Sequence, residues 1–158
     1  MPISVCFVCL GNICRSPTAE GIMLALVQQR GLDGRIAVDS AGTSAMHNGE
    51  LADWRSRTVA ERRGVPLVSR SRRFQAKDFA RFDYVLAMDN DNAAHLQRLA
   101  KNDAQRHKIH LLRNFDPATG AGLDVPDPYY DNRFDEVFDM CVASCTGLLD
   151  HLIRAHGL

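Results

Sequence analysis

A cysteine and an arginine with five residues between them stand near the start of this 158-residue chain, in Val8-Cys9-Leu10-Gly11-Asn12-Ile13-Cys14-Arg15-Ser16-Pro17. An apolar run over residues 3–8 enters the stretch and a helical pattern over residues 17–30 leaves it. Strand, tight loop and helix start together make an anion site, because unpaired backbone N–H groups and the positive end of a helix converge there. Arg15 adds a planar fork able to hold two oxygens of a phosphate at once. The same positive field favours a thiolate at Cys9, and the thiolate is the nucleophilic form of cysteine. A nucleophile at the bottom of a phosphate cradle points to phosphoryl transfer through a phosphocysteine. The backbone N–H groups of Leu10, Gly11, Asn12, Ile13, Cys14 and Arg15 would cage the three transferring oxygens while Cys9 attacks in line.

These residues resemble a known family. Cys-x5-Arg-Ser is the loop of protein tyrosine phosphatases, and the whole N-terminal stretch resembles the low-molecular-weight protein tyrosine phosphatases, also called acid phosphatases. The likeness continues through Asp39-Ser40-Ala41-Gly42, Phe82-Asp83-Tyr84-Val85, Met88-Asp89 and Asp127-Pro128-Tyr129-Tyr130, nearly the whole chain. Asp127, between Pro126 and Pro128, reads on spacing alone as a turn residue. The match to the family's Asp-Pro-Tyr loop instead implies the general acid that protonates the leaving group. The same carboxylate would then activate water against the phosphocysteine. The resemblance also implies a buried Asn, Ser and His network bracing the loop. Ser40 matches the serine, Ser69 stands where a histidine is common, and a water could take the histidine's place. Arg72 and Asp89 resemble a structural ion pair of the family.

Other members of the stretch have roles of their own. Ser16 suits a helix N-cap and can hydrogen-bond the Cys9 sulfur. Asn12 tolerates a left-handed backbone and offers an amide to brace the loop. Leu10, Ile13, Tyr129 and Tyr130 would line a deep slot for a flat phenyl ring, with Met46 forming an adaptable wall. His47 lies beside the mouth, either touching substrate or sitting on a surface loop. Family members directed at phosphoarginine tend to carry a polar Thr at the position of Ile13. Cys14 either fills space under the loop or forms a reversible disulfide with an oxidised Cys9.

Composition narrows the class. With 19 basic and 19 acidic residues the formal net charge is zero, so no global field argues for nucleic acid or membranes. The apolar share of 46% and charged share of 24% are those of an ordinary globular protein. The length suits one domain, residues 1–158. The apolar run near the N-terminus is too short for a signal peptide and lacks a basic flank, so a cytoplasmic location is expected. Five cysteines, at 6, 9, 14, 141 and 145, do not form a secreted disulfide framework. The Cys6–Cys9 spacing invites a metal reading, but no further His or Cys nearby completes a zinc set. No metal or cofactor is expected. The expected partner is a phosphotyrosine-containing protein, with inorganic phosphate as product and the protein a monomer or weak dimer.

The cradle needs a strand and a helix in register, and the pattern supplies them. Residues 3–8 read as a buried central strand. Pro17 suits the first position of a helix carrying Ala19, Ile22, Met23, Leu26 and Val27 at 3–4 spacing, stopped by Gly31. A strand over 35–38 ends in Asp39-Ser40-Ala41-Gly42. A loop over 43–54 precedes a short helix over 55–63. Strands over 82–88 and 109–112 flank a helix capped by Asp89. The loop over 113–131 is long enough to be functional. The final helix keeps an apolar face from Phe134 to Ile153, with Cys141 and Cys145 on it as inert core thiols. Basic residues Arg57, Arg62, Arg63, Arg70, Arg72 and Arg73 suggest a solvated face with one structural ion pair, or a docking patch for acidic partners. Alternating strands and helices give an α/β fold, a parallel sheet with helices on both faces. The resemblance implies three αβα layers, four strands in order 2-1-3-4, and the phosphate loop after strand 1.

Two rivals compete. An arsenate reductase on the same fold needs further cysteines on a mid-chain loop, and none lies between Cys14 and Cys141. A non-catalytic phosphoprotein-binding module would dispense with Cys9, Arg15 or Asp127, and all three are present.

Overall fold

A computed structural model describes residues 1–158. Four strands, β1 (Ile3–Cys9), β2 (Ile36–Gly42), β3 (Tyr84–Ala87) and β4 (Ile109–Leu111), form one parallel sheet in the order 2-1-3-4. The apolar alternation of β1 divides the core. Val5, Phe7 and Cys9 face the layer built from α1 (Arg15–Gln29), α2 (Trp54–Arg62) and α5 (Phe134–His156). Cys6 and Val8 face Phe74, Phe79, Phe82 and Leu96, the last on α3 (Asn90–Leu99). Cys6 and Cys9 therefore project to opposite sides of the sheet. A short α4 (Asp103–Arg106) precedes β4.

The helix after β1 starts earlier than its sequence suggests. Cys14, not Ser16, is the N-cap residue, with no side-chain cap bond. Ser16 turns its hydroxyl to the Cys9 sulfur and the Ala41 carbonyl instead. Pro17 is consequently the third helical residue, still inside the first turn, where a missing N–H costs nothing. β2 runs to Gly42, beyond the expected stop at 38, because Asp39 and Ser40 find polar partners while their backbone stays paired with Cys6 and Phe7. β3 is shorter than expected at its start, where the Asp83 carboxylate takes the Ser4 N–H at 2.9 Å. Asp53 caps α2 by accepting from Arg55 N–H at 2.9 Å.

Helix α5 matches its periodicity, and Leu148 and Leu152 are fully buried, each contributing about 2 kcal/mol. Cys141 and Cys145 are buried on the same face, and burial pushes the Cys141 thiol up to about 12. Gly147 permits the closest contact: a Cβ there would lie 1.7 Å from the Phe115 carbonyl oxygen. Much of the basic cluster is occupied internally. Arg62 and Arg63 reach Asp135 and Asp139 of α5, while Arg57 and Arg70 donate to the carbonyls of Ala52 and Gly49. No helix is long and apolar enough to cross a membrane.

Candidate active site

The loop between β1 and α1 closes through Asn12, whose φ of 56° is the left-handed conformation that Asn tolerates. This turn aims the Asn12 N–H at Cys9 Sγ, 3.2 Å away. The backbone N–H groups of Leu10, Gly11, Ile13 and Cys14 donate to no acceptor within the protein. The Cys9 sulfur also meets the Ser16 hydroxyl at 3.0 Å. Gly42, opposite Cys9 in the sheet, lets β2 pass beneath: a Cβ there would stand 2.8 Å from the Leu10 carbonyl oxygen.

The underside of the loop is held by a continuous polar chain. Asn12 Nδ2 donates to Ser16 Oγ at 2.7 Å and to Ser40 Oγ at 3.0 Å. Ser40 Oγ donates to Glu20 Oε1 at 2.7 Å, and Ser69 Oγ donates to the same oxygen at 2.8 Å. Asn12 Oδ1 accepts from Arg72 N–H at 3.1 Å, and the Gly11 carbonyl accepts from Ser71 Oγ at 2.9 Å. The Glu20 carboxyl thus joins the bracing network and links it to Ser69. Burial raises the pKa of Glu20, and the two serine hydrogen bonds offset only part of that. Glu20 escaped the sequence reading although it lies four residues after Ser16, on the same helical face.

Arg15 projects from the first turn of α1 and is almost wholly buried. Its Nη1 donates to Asp89 Oδ2 at 2.6 Å and to the Val125 carbonyl at 3.0 Å. Burial opposes its charge, but Cys9, Asp89 and Asp127 outweigh burial and hold the proton more tightly than usual. Asp89 therefore pairs with Arg15, not with Arg72. Its other oxygen caps α3 by accepting from Asn92 N–H at 2.7 Å. Arg72 bridges Asp39 at 3.1 Å and Asp78 at 3.2 Å instead, fixing the segment that braces the loop.

Across the cleft, Asp127 Oδ2 lies 3.7 Å from Arg15 Nη2, and its Oδ1 accepts the Tyr129 N–H at 3.1 Å. The carboxylate remains about a third exposed, open to a substrate and to water. Val125 anchors this loop by donating its N–H to the Met88 carbonyl at 2.7 Å.

One cleft gathers Cys9, Leu10, Gly11, Ile13, Cys14, Arg15, Ser44, Met46, His47, Asp127, Tyr129 and Tyr130. Every wall residue expected from the sequence lines it, and Ser44 joins them unforeseen. Met46 and Tyr130 are the most exposed and form the outer rim, while Leu10 and Tyr129 stand further in. His47 is oriented by Glu50, with Nδ1 and Oε2 at 3.0 Å. Burial, with smaller contributions from Asp53 and Cys9, pushes the Cys14 thiol up to about 12, and a Ser56 hydrogen bond offsets part of this. No group of three or more His, Cys, Asp or Glu side chains is placed to hold a metal ion.

A thiol beneath unpaired amides, an arginine at the helix start and a carboxyl opposite are the means by which cysteine-dependent phosphatases handle phosphate monoesters. Similarity to known proteins narrows that class. The family model described as low molecular weight phosphotyrosine protein phosphatase matches residues 4–156. A Streptomyces coelicolor low molecular weight protein-tyrosine-phosphatase is 47% identical over 152 residues, covering 94% of this chain and 93% of that protein. A human low molecular weight phosphotyrosine protein phosphatase is 40% identical over 156 residues, covering 97% and 96%. The crystal structure of a protein tyrosine phosphatase from Entamoeba histolytica superposes with a TM-score of 0.92 at 38% identity, covering 98% of this chain and 99% of that one. The chain belongs to the low molecular weight phosphotyrosine protein phosphatase family.

Proposed function

We propose that the protein hydrolyses phosphotyrosine in proteins, and small aryl phosphate monoesters, through a phosphocysteine on Cys9, with residues 1–158 acting as one domain. The observation that carries this reading is that Cys9, in a loop whose N–H groups are mostly unpaired, shares one cleft with Arg15 and Asp127, which stand 3.7 Å apart. The Cys9 thiolate attacks phosphorus and the bond to the phenolic oxygen breaks. Asp127 gives its proton to that oxygen. Arg15 and the loop amides bind the three equatorial oxygens and stabilise the charge that shifts among them. In the second step Asp127 takes a proton from water and the resulting hydroxide attacks phosphorus. The S–P bond breaks, inorganic phosphate leaves, and the thiolate returns.

The depth and apolar walls of the cleft favour a flat aromatic leaving group over a serine side chain, which would leave Leu10, Ile13 and Tyr129 uncovered. Phosphotyrosine peptides should exceed matched phosphoserine peptides by about 100-fold in kcat/KM. Comparable turnover of phosphoarginine peptides would reassign the substrate class. The arsenate reductase reading has no support from cysteine placement, since Cys141 and Cys145 lie buried on α5. A cytoplasmic, monomeric or weakly dimeric enzyme acting on phosphoproteins, and not on nucleic acid or membranes, fits the neutral charge and the absence of an apolar span.

Cys14 belongs to the same reading as a redox partner. Peroxide oxidises the Cys9 thiolate to a sulfenic acid. The Cys14 thiol then forms an S–S bond as the sulfenic oxygen departs with a proton as water, and external thiols reduce the disulfide. Peroxide followed by dithiothreitol should restore the native protein but recover Cys14→Ser far less, with a Cys9–Cys14 linked peptide visible by mass spectrometry. Equal recovery without that peptide would leave Cys14 as packing.

A further inference from the structure

We infer that Arg55, outside the cleft, is a positioning residue that fastens the Asp127 loop to the phosphate cradle and so sets where the acid stands. The inference rests on the acid role of Asp127 proposed above. Three links carry it. Asp53 donates its backbone N–H to the Ile13 carbonyl at 2.7 Å, which ties the start of α2 to the cradle. The Asp53 carboxylate holds the Arg55 fork at two points, Nε to Oδ1 and Nη2 to Oδ2, both 3.0 Å. The remaining nitrogen, Nη1, crosses to the acid loop, donating to Asn132 Oδ1 at 3.1 Å and more weakly to the Tyr129 carbonyl at 3.3 Å.

The Tyr129 backbone lies between Arg55 and the acid. Its N–H binds Asp127 Oδ1 while its carbonyl faces Arg55. Asn132, left-handed at φ 60°, closes the turn by donating its N–H to the Pro128 carbonyl at 2.9 Å. The Arg55 guanidinium also lies 5.1 Å from the Tyr129 ring centre and 4.6 Å from that of Phe134, so the strap is stacked as well as hydrogen-bonded. Arg15 holds the other end of the loop at Val125. The acid is therefore suspended between two arginines, one in the cradle and one bound to the cradle through Asp53. A lysine could not reproduce this, because a point charge cannot keep a two-point grip on Asp53 and also reach Tyr129 and Asn132.

A misplaced acid matters most when the leaving group needs its proton, and a displacement of about 1 Å can cost about 100-fold. Arg55→Ala and Arg55→Lys, compared over aryl phosphates of graded leaving-group pKa, should lose about 10–100-fold in kcat/KM, which reports the leaving-group step, on the poorest leaving groups. On the most activated ester they should fall by only about 2–3-fold, with phosphate inhibition similarly preserved, since neither the cradle nor Cys9 contacts Arg55. In an Asp127→Asn background, Arg55→Ala should add almost no further loss, because the group it positions is already gone. A uniform loss across all leaving groups, or a full additional loss on top of Asp127→Asn, would overturn the inference and make Arg55 a general stabiliser. Arg55→Lys carries the same test should Arg55→Ala fold poorly. Leaving-group dependence in Asp127→Asn but not in the Arg55 variants would sink the positioning role alone. Its absence from Asp127→Asn would sink the acid assignment and this inference with it.

Discussion

Cys9→Ser should lose at least about 10,000-fold in kcat while still binding inorganic phosphate. The separation follows from how the cradle is made. Its donors are backbone N–H groups and Arg15, none of which belongs to the Cys9 side chain, so the anion keeps its partners when sulfur becomes oxygen. Turnover does not survive, because a serine hydroxyl at this position has no adjacent base to take its proton. Arg15→Ala is the contrasting variant. It removes the only cationic side chain bound in the cradle and should weaken phosphate binding as well as turnover. It also frees the Asp89 carboxylate and the Val125 carbonyl, costing stability by about 2 kcal/mol. Competitive inhibition by phosphate and thermal unfolding together distinguish the two variants. Appreciable turnover by purified Cys9→Ser would exclude the phosphocysteine path.

Asp127→Asn should reduce kcat/KM, which reports formation of the phosphocysteine, by about 100- to 10,000-fold for phosphotyrosine and similar esters, and much less for esters whose leaving group departs as a stable phenolate. Asparagine preserves the size of the side chain and can still accept the Tyr129 N–H through its carbonyl oxygen. Only proton transfer is removed. The pH–rate profile should lose the limb that reports a protonated donor, which a merely displaced loop would not cause. An equal loss of kcat/KM for activated and unactivated aryl phosphates would argue against the proton-donor role.

The cradle was legible because its parts are contiguous: strand, cysteine, left-handed asparagine, arginine and helix follow one another in a single stretch. The periodicity of α5 was legible for the same reason, since one element carries the whole signal. Partnerships across the chain were not. Asp89 could be read as a helix cap, which it is, but pairing with Arg15 depends on β3 lying beside β1 and ending level with the cradle. The assignment of Asp89 to Arg72 failed because two nearer carboxylates, Asp39 and Asp78, satisfy that guanidinium. Ser69, Ser71 and Arg72 brace the cradle from a segment with almost no regular structure, joined to the rest of the fold by isolated bridges at Gly42 and Leu51 and by the Arg72 ion pairs. No periodic pattern marks such a segment. Glu20 was within reach, as a carboxyl on a helix face otherwise apolar and one turn beyond Ser16. Arg55 offered no signal, because a DxR spacing at a helix start is common surface chemistry until a distant loop arrives beside it.

The phosphocysteine itself is the most direct test of the mechanism. Asp127→Asn mixed with an activated aryl phosphate should form the intermediate quickly, since that leaving group needs no proton. Hydrolysis should then lag, because the carboxylate that activates water is missing. Rapid denaturation during turnover, followed by mass spectrometry of the whole chain and its peptides, should find one phosphoryl group per molecule, bonded to Cys9. A phosphoryl group on another residue, or none at any time while phenol is still being released, would contradict the mechanism.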